Sequence, residues 1–289
     1  MKLAILSHCA MDTITIGEKS FEQIGGPPCY GGLTARNLKF DVELFTKFGH
    51  DFPTSFLKES KISFDNSRSE KKTTRFRIDI NGSERTLRLE NVCEPIDFTE
   101  SDADAFLISP IFNEIKKTEL SKSIFDSKFT LIDPQGFLRY VDENRRVFLS
   151  YSDIDLTKIS AIKLNPAEAN ALVGGSDIES LKKLVKSGIK YVILTNKIDV
   201  SMLVGDKLYS LTLPNKEIYD TTGIGDIFCS TFACTMVKEK DFLWAICFAG
   251  GSAQAALDNK EIGLLKVPKK GAIETNASYF YNTINFKQV

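Results

Sequence analysis

Ala161-Ile162-Lys163-Leu164 and Tyr191-Val192-Ile193-Leu194-Thr195, with helical stretches at 167–172 and 177–187 between them, decide the fold. Both runs are short and strongly apolar, without polar alternation. Strands buried on both faces of a parallel sheet read in this way. Two parallel strands need a crossover connection, and a helix is its usual form. Working outward, runs of the same kind stand at 3–7, 105–109 and 129–133. Helical patterns occupy 32–40, 114–125, 226–238 and 242–258. The alternation predicts an α/β fold, a doubly wound and mostly parallel sheet flanked by helices. No low-complexity tract, charge block or Pro/Gly-rich linker divides the chain, so residues 1–289 are read as a single domain.

One segment departs from the pattern. Thr73-Thr74-Arg75-Phe76-Arg77-Ile78-Asp79-Ile80 alternates polar with apolar residues, Asn81-Gly82 follows, and a second run covers 83–89. Asn-Gly between two such runs signals a hairpin. Its single apolar face needs a cover, and 11–16 with 21–24 are candidates to complete a small sheet. The expectation is a small β-sheet lid, built from about 11–24 and 73–90, over the carboxyl ends of the main strands where α/β proteins bind ligands. The plainer reading is a surface hairpin.

Composition excludes several classes. The chain has 289 residues, 43% hydrophobic and 26% charged, with 37 basic against 38 acidic side chains. A net charge of −1 offers no footprint for nucleic acid or an anionic membrane. No apolar run approaches the roughly 20 residues of a membrane helix. The first apolar run is too short for a signal peptide, which places the protein in the cytoplasm. Six cysteines form no C-x-x-C pair and only two histidines are present, so a Cys/His zinc site is not expected.

The chemistry concentrates in Asp220-Thr221-Thr222-Gly223-Ile224-Gly225-Asp226, directly before an apolar helix. Two glycines flanking one residue let backbone N–H groups converge without Cβ obstruction. A helix start adds free N–H groups and the positive end of its dipole, a setting for phosphate. Asp226 at that start reads either as a cap or as a general base for an attacking hydroxyl. A carboxylate beside phosphate is awkward unless it has such a task. The chain holds no G-x-x-x-x-G-K-[ST] loop.

The full heptad resembles the D-T-T-G-A-G-D signature of the ribokinase-like (PfkB) carbohydrate kinase family, with Ile224 in the Ala position. The resemblance implies that Gly223, Ile224 and Gly225 contribute to an anion hole and that Asp226 deprotonates the acceptor hydroxyl. Other matches follow in the family's order. Asp12 ends the first strand region and Gly25-Gly26 resembles the family's di-glycine, both implied to meet the substrate. Phe48-Gly49-His50-Asp51 resembles the downstream G-x-D. Asn165-Pro166-Ala167-Glu168 resembles N-x-x-E, whose glutamate serves Mg²⁺, here through water. Read without the resemblance, Asn165 and Glu168 are an N-cap and its capping-box partner. Thr195 and Thr222 are assigned to the nucleotide side.

Three departures bear on substrate. Tyr30 stands where the family's G-G-x-x-x-N places an asparagine, which implies a pocket that does not take ribose in the ordinary way. Thr195-Asn196-Lys197 lacks the glycine of the usual T-x-G; Lys197 either touches phosphate or is solvated. Asp133-Pro134-Gln135-Gly136-Phe137-Leu138-Arg139 resembles a branch with inositol and polyol kinases. Arg139 is either a bidentate substrate ligand or an ordinary surface arginine. The implied activity is transfer of the terminal phosphoryl group of ATP, with Mg²⁺, to a hydroxyl of a sugar, polyol or cyclitol. A nucleoside kinase and a kinase-like ligand-binding protein without turnover are the alternatives. The expected partner is a small hydroxylated molecule, neither nucleic acid nor membrane, with homodimerisation through the lid.

Overall fold

The computed structural model describes residues 1–81, 84–214 and 220–289. Among them, nine strands form one sheet in the order Asn285–Gln288, Lys207–Thr212, Asp199–Val204, Tyr191–Asn196, Ala161–Leu164, Phe129–Ile132, Ala105–Ile108, Lys2–Leu6 and Asp41–Phe45. From Tyr191–Asn196 to Asp41–Phe45 neighbouring strands run parallel. The remaining three are added antiparallel. Every residue of Ala105–Ile108 and Ala161–Leu164 is buried, Lys163 included, as their strongly apolar character predicts. Burial on both faces divides the core into two large clusters. One contains Leu3, Ile5, Leu107, Leu131 and Ile193; the other contains Ala4, Leu6, Ile108, Ile132 and Val192. Odd and even positions of the same strands face opposite helical layers, a consequence of the two-residue period.

The flanking helices show why their ends fall where they do. Asn165 caps Pro166–Val173, accepting from the Glu168 N–H while Glu168 accepts from the Asn165 N–H, a complete capping box. Asp177 caps Ile178–Lys186 and Asp241 caps Phe242–Asp258. Ile224–Glu239 differs: it begins on Gly223, in the left-handed region at φ 75°, without a side-chain cap. The Ile224 N–H donates to the Thr221 carbonyl at 3.3 Å, and the N–H groups of Gly225 and Asp226 receive no side-chain cap. Every residue from 227 to 236 is buried, so the helix is a rigid mount for whatever its first turn carries.

Two expected helices are corrected. The helix read at 32–40 is Pro27–Asn37, begun five residues earlier because Pro27 and Pro28 fill first-turn positions whose N–H groups would be unpaired anyway. The stretch 114–125 is not one helix but two 3₁₀ turns, Lys117–Ser121 and Ser123–Phe125. The buried carboxylate of Glu114 accepts from the His8, Ile111 and Phe112 N–H groups, which holds the chain out of helix there.

The second sheet has the strand order Lys19–Gly25, Ala10–Ile16, Thr74–Asn81 and Glu84–Asn91. Ala10–Ile16 pairs antiparallel with Lys19–Gly25 and parallel with Thr74–Asn81. Gly82 of the expected Asn-Gly turn lies outside the described residues. Ala10, Ile14, Phe76, Ile78 and Leu89 form this sheet's own small core, together with Ile111. Two anchors fix its entry. Asp51 accepts from the N–H and hydroxyl of Thr73 at 3.0 and 2.7 Å. The buried His8 lies between the Thr74 hydroxyl and the Glu94 carbonyl at 2.8 and 2.7 Å. All six cysteines are free and buried.

Candidate active site

The loop from Asp220 to Gly223 delivers the uncapped start of Ile224–Glu239 to the carboxyl ends of the parallel strands. Its shape is tightly constrained. A Cβ at Gly223 would lie 2.3 Å from the Tyr30 ring, and the positive φ independently favours glycine. The Asp220 carboxylate accepts from the Thr222 N–H at 2.8 Å, closing the first bend. Gly225 is open by comparison, with only Lys163 Nζ at 3.4 Å and Lys163 Cε at 3.9 Å from a Cβ placed there.

Two cavities meet at this loop. The first, about 290 Å³, lies between it and the small sheet; the second, about 360 Å³, lies on its other side. Lys163, Asn165, Thr221 and Gly225 border both. The first combines Phe76, Ile78 and Leu87 of the small sheet with Asp12, Gln135, Arg139 and Asp226. The second is walled mainly by Val200, Leu213, Ile224, Phe228, Ala253 and Leu257. One chamber is thus rich in hydrogen-bonding groups, and the other is largely apolar except where it touches the loop.

Most residues anticipated from the sequence border the first cavity: Asp12, Gly26, Tyr30, Arg139, Asn165, Glu168, Thr222, Gly223, Gly225 and Asp226. Thr195 and Ile224 border the second, as does Lys197. Gly25 stands behind Asp12, where a Cβ would come within 3.1 Å of Asp12 Oδ2. Gly26 makes the sharp entry into Pro27–Asn37 at φ 86°, and a Cβ there would meet the His8 carbonyl oxygen at 2.6 Å. Tyr30 is fully buried beneath the loop, and its hydroxyl accepts from Gln23 Nε2. Its placement is that of a support under Gly223. Arg139 is not a free surface side chain: it donates to the Ile111 carbonyl and the Gln135 Oε1, with its guanidinium 5.4 Å from the centre of the Phe76 ring.

The electrostatics turn on a group that sequence reasoning missed. Lys163, buried in the middle of an apolar strand, donates to Asp133 Oδ2 at 2.9 Å. Burial pulls its ammonium down, but Asp133 and Glu168 outweigh this and hold it above its ordinary value. Burial pushes the Glu168 carboxyl up, against the opposing pull of Lys163. Asp226 is pushed up to about 7, first by desolvation and then by Asp133, with Lys163 and Arg139 acting in the opposite direction. A carboxylate poised near neutrality, on the wall of the first cavity and next to Gly225, which borders both, suits proton abstraction. A lysine inside a strand otherwise buried on both faces was the available sequence signal, since a charge there requires a partner.

Comparison with known proteins agrees with this geometry. The family model for pfkB family carbohydrate kinases matches residues 33–269. The chain belongs to that family. The match spans the loop, the walls of the second cavity and the hairpin strands Thr74–Asn81 and Glu84–Asn91, but not Ala10, Asp12, Gly26, Pro27 and Tyr30 of the first cavity. It omits the small-sheet strands Ala10–Ile16 and Lys19–Gly25. No curated protein sequence matches this kinase. Among solved structures, a pyrophosphate-dependent kinase in the ribokinase family, complexed with a pyrophosphate analog and myo-inositol, superposes with a TM-score of 0.79 at 21% identity, over 95% of this chain and 99% of that one. Arabidopsis thaliana ribokinase complexed with ribose and ATP gives 0.76 at 18%, over 95% and 98%. Methanocaldococcus jannaschii nucleoside kinase gives 0.74 at 17%, over 96% and 98%. At such identities the likeness shows the fold. Among the described residues, no helix of the kinase is long and apolar enough to cross a membrane.

Proposed function

We propose that the kinase transfers the γ-phosphoryl group of ATP to a hydroxyl of a small polyol or cyclitol, with Asp226 as base. The observation that carries this reading is the meeting of a polar and an apolar cavity at one helix start without a side-chain cap, with Asp226 in that helix's first turn and on the wall of the polar cavity. In the polar chamber, Asp12, Gln135 and Arg139 would orient several hydroxyls, while the small sheet covers them as a lid. Asp226 takes the proton of the reacting hydroxyl, and its oxygen attacks the γ-phosphorus. The bond from γ-phosphorus to the bridging oxygen breaks, and ADP leaves. The N–H groups of Gly223, Gly225 and Asp226 would face the developing charge on the transferred group, while that of Ile224 is held by the Thr221 carbonyl. Lys163 adds a cation beside them.

The apolar chamber favours a nucleotide donor. Val200, Leu213, Phe228 and Leu257 offer contact to a base, whereas pyrophosphate has no apolar body to fill that space. The polar chamber favours a polyol over a nucleoside, because the Phe76 face available for stacking is occupied by the Arg139 guanidinium. Among the described residues, no three His, Cys, Asp or Glu side chains are grouped to hold a metal. A Mg²⁺ carried on the donor phosphates with its own waters fits that arrangement. Glu168, with one oxygen engaged by the Asn165 N–H, would meet it through water, and the ion would neutralise phosphate charge.

The test is formation of the phosphorylated acceptor, measured across myo-inositol, open-chain polyols, ribose, fructose and nucleosides, with ATP (releasing ADP) and pyrophosphate (releasing orthophosphate) as rival donors. ATP-dependent turnover of a polyol or cyclitol is expected. Nucleoside turnover, pyrophosphate preference, or tight ligand binding without turnover would each replace this reading.

A further inference from the structure

The loop's first residue is held by a charge that the transfer reaction does not use. Lys266 ends the 3₁₀ turn Gly263–Lys266, and its side chain is 1% exposed. Its ammonium donates to the Asp220 carboxylate at 2.7 Å and to the Asp220 main-chain carbonyl at 3.0 Å. It also lies 5.7 Å from the centre of the Tyr30 ring. The other Asp220 carboxylate oxygen accepts from the Thr222 N–H, and Gly223 rests on the same Tyr30 ring. One cation therefore fixes the carbonyl, the carboxylate and the aromatic support from which residues 223–226 are suspended. The segment that presents it is itself tied down, since Asn37 Nδ2 donates to the Pro268 carbonyl at 3.1 Å.

We infer that Lys266 is a positioning residue, an internal cation that shapes the phosphate cradle through Asp220. The inference rests on reading residues 223–226 as that cradle. An ammonium surrounded by a carboxylate and a carbonyl oxygen occupies an environment that a small monovalent cation can also fill. Burial pushes the Asp220 carboxyl up, but Lys266 and the Thr222 N–H more than offset this and keep it below the usual carboxylate range. Without Lys266 a negatively charged, partly buried site is left open beneath the loop.

Lys266→Met keeps the apolar stem and removes the charge. The variant should lose activity by about 10–100-fold, the range seen when a group that orients ligand-contacting residues is removed. Potassium or ammonium chloride should restore at least part of the loss, while tetramethylammonium chloride at equal ionic strength, too large to enter, should not. The wild type should respond equally to all three. Thermal unfolding provides a readout independent of turnover: potassium and ammonium should raise the Tm of Lys266→Met above that seen in tetramethylammonium, and leave the wild type unchanged. Lys266→Gln, a neutral donor, should show the same selective response and serves if the methionine variant does not fold.

Wild-type turnover in the variants, or loss that no cation or every cation relieves equally, would overturn the inference. If the selective thermal response appears but the wild type phosphorylates no alcohol, the anchoring by Lys266 stands and the proposed activity fails.

Discussion

At Asp226 the same surroundings set reactivity and limit stability. Its folded-state pKa of about 7 lies above the ordinary carboxylate value of 3.8. As the proposed base, Asp226 must be ionised, so kcat/KM for the acceptor should rise with pH through about 7 and level off above it. The folded state holds the proton more tightly than the unfolded chain does. Asp226 therefore lowers stability progressively as pH rises from 3.8 to about 7. Asp226→Asn should reduce turnover by roughly 10²–10⁴ with little change in ATP affinity. The same variant should also unfold at a higher temperature than the wild type at pH 8, a gain that shrinks towards pH 4. Thermal scans at both pH values check this; a constant or inverted difference would contradict the desolvation account. Lys163 acts in the opposite sense, holding the Asp226 pKa down. Lys163→Met should move the acid limb of the kcat/KM profile to higher pH. It should also cost about 3–5 kcal/mol by leaving Asp133 buried without its cation, a loss that Asp133→Asn in the same chain should reduce.

Among the elements, the loop and its helix contain two glycines that fail in different ways. Gly223→Ala drives a Cβ into the Tyr30 ring at an unfavourable φ, so the expected outcome is lost stability, read as a lowered Tm. Gly225→Ala meets only the flexible end of Lys163, so its Tm should stay near that of the wild type. Its methyl instead projects where a phosphate oxygen would approach, and the ATP KM should rise about tenfold or more. Equal effects at the two positions would argue against a phosphate cradle. The heptad and Asn165-Pro166-Ala167-Glu168 were legible because their chemistry is local: spacing alone places N–H groups and caps. Tyr30 borders the first cavity, but its support of the loop was not legible, because that depends on the distant Gln23 and Gly223. Neither was the role of Lys163, whose partner Asp133 sits just past the end of the neighbouring strand Phe129–Ile132, thirty residues away. The misread helix at 114–125 has the same origin, since the competing bonds of Glu114 reach His8 across the sheet.

The molecule as a whole divides its tasks between two sheets. The parallel strands were readable from strongly apolar runs, while the antiparallel flank and the last helix, Lys270–Thr283, lacked comparably distinctive patterns. Asp226 and the apolar chamber belong to the large body, whereas Phe76, Ile78 and Leu87 belong to the small sheet. Phe76→Ala should therefore raise the acceptor KM severalfold and increase ATP hydrolysis without acceptor, because water gains entry, while the ATP KM stays near its wild-type value. Steady-state assays with and without acceptor separate these effects, and a matching rise in the ATP KM would refute the division. The partition also has a consequence over evolutionary time. Under the proposed function, substitutions in four short strands would retune which alcohol is accepted without touching the buried helix that carries Asp226. Such a scaffold can drift between substrates by small, tolerated steps, keeping phosphoryl transfer intact while its diet changes.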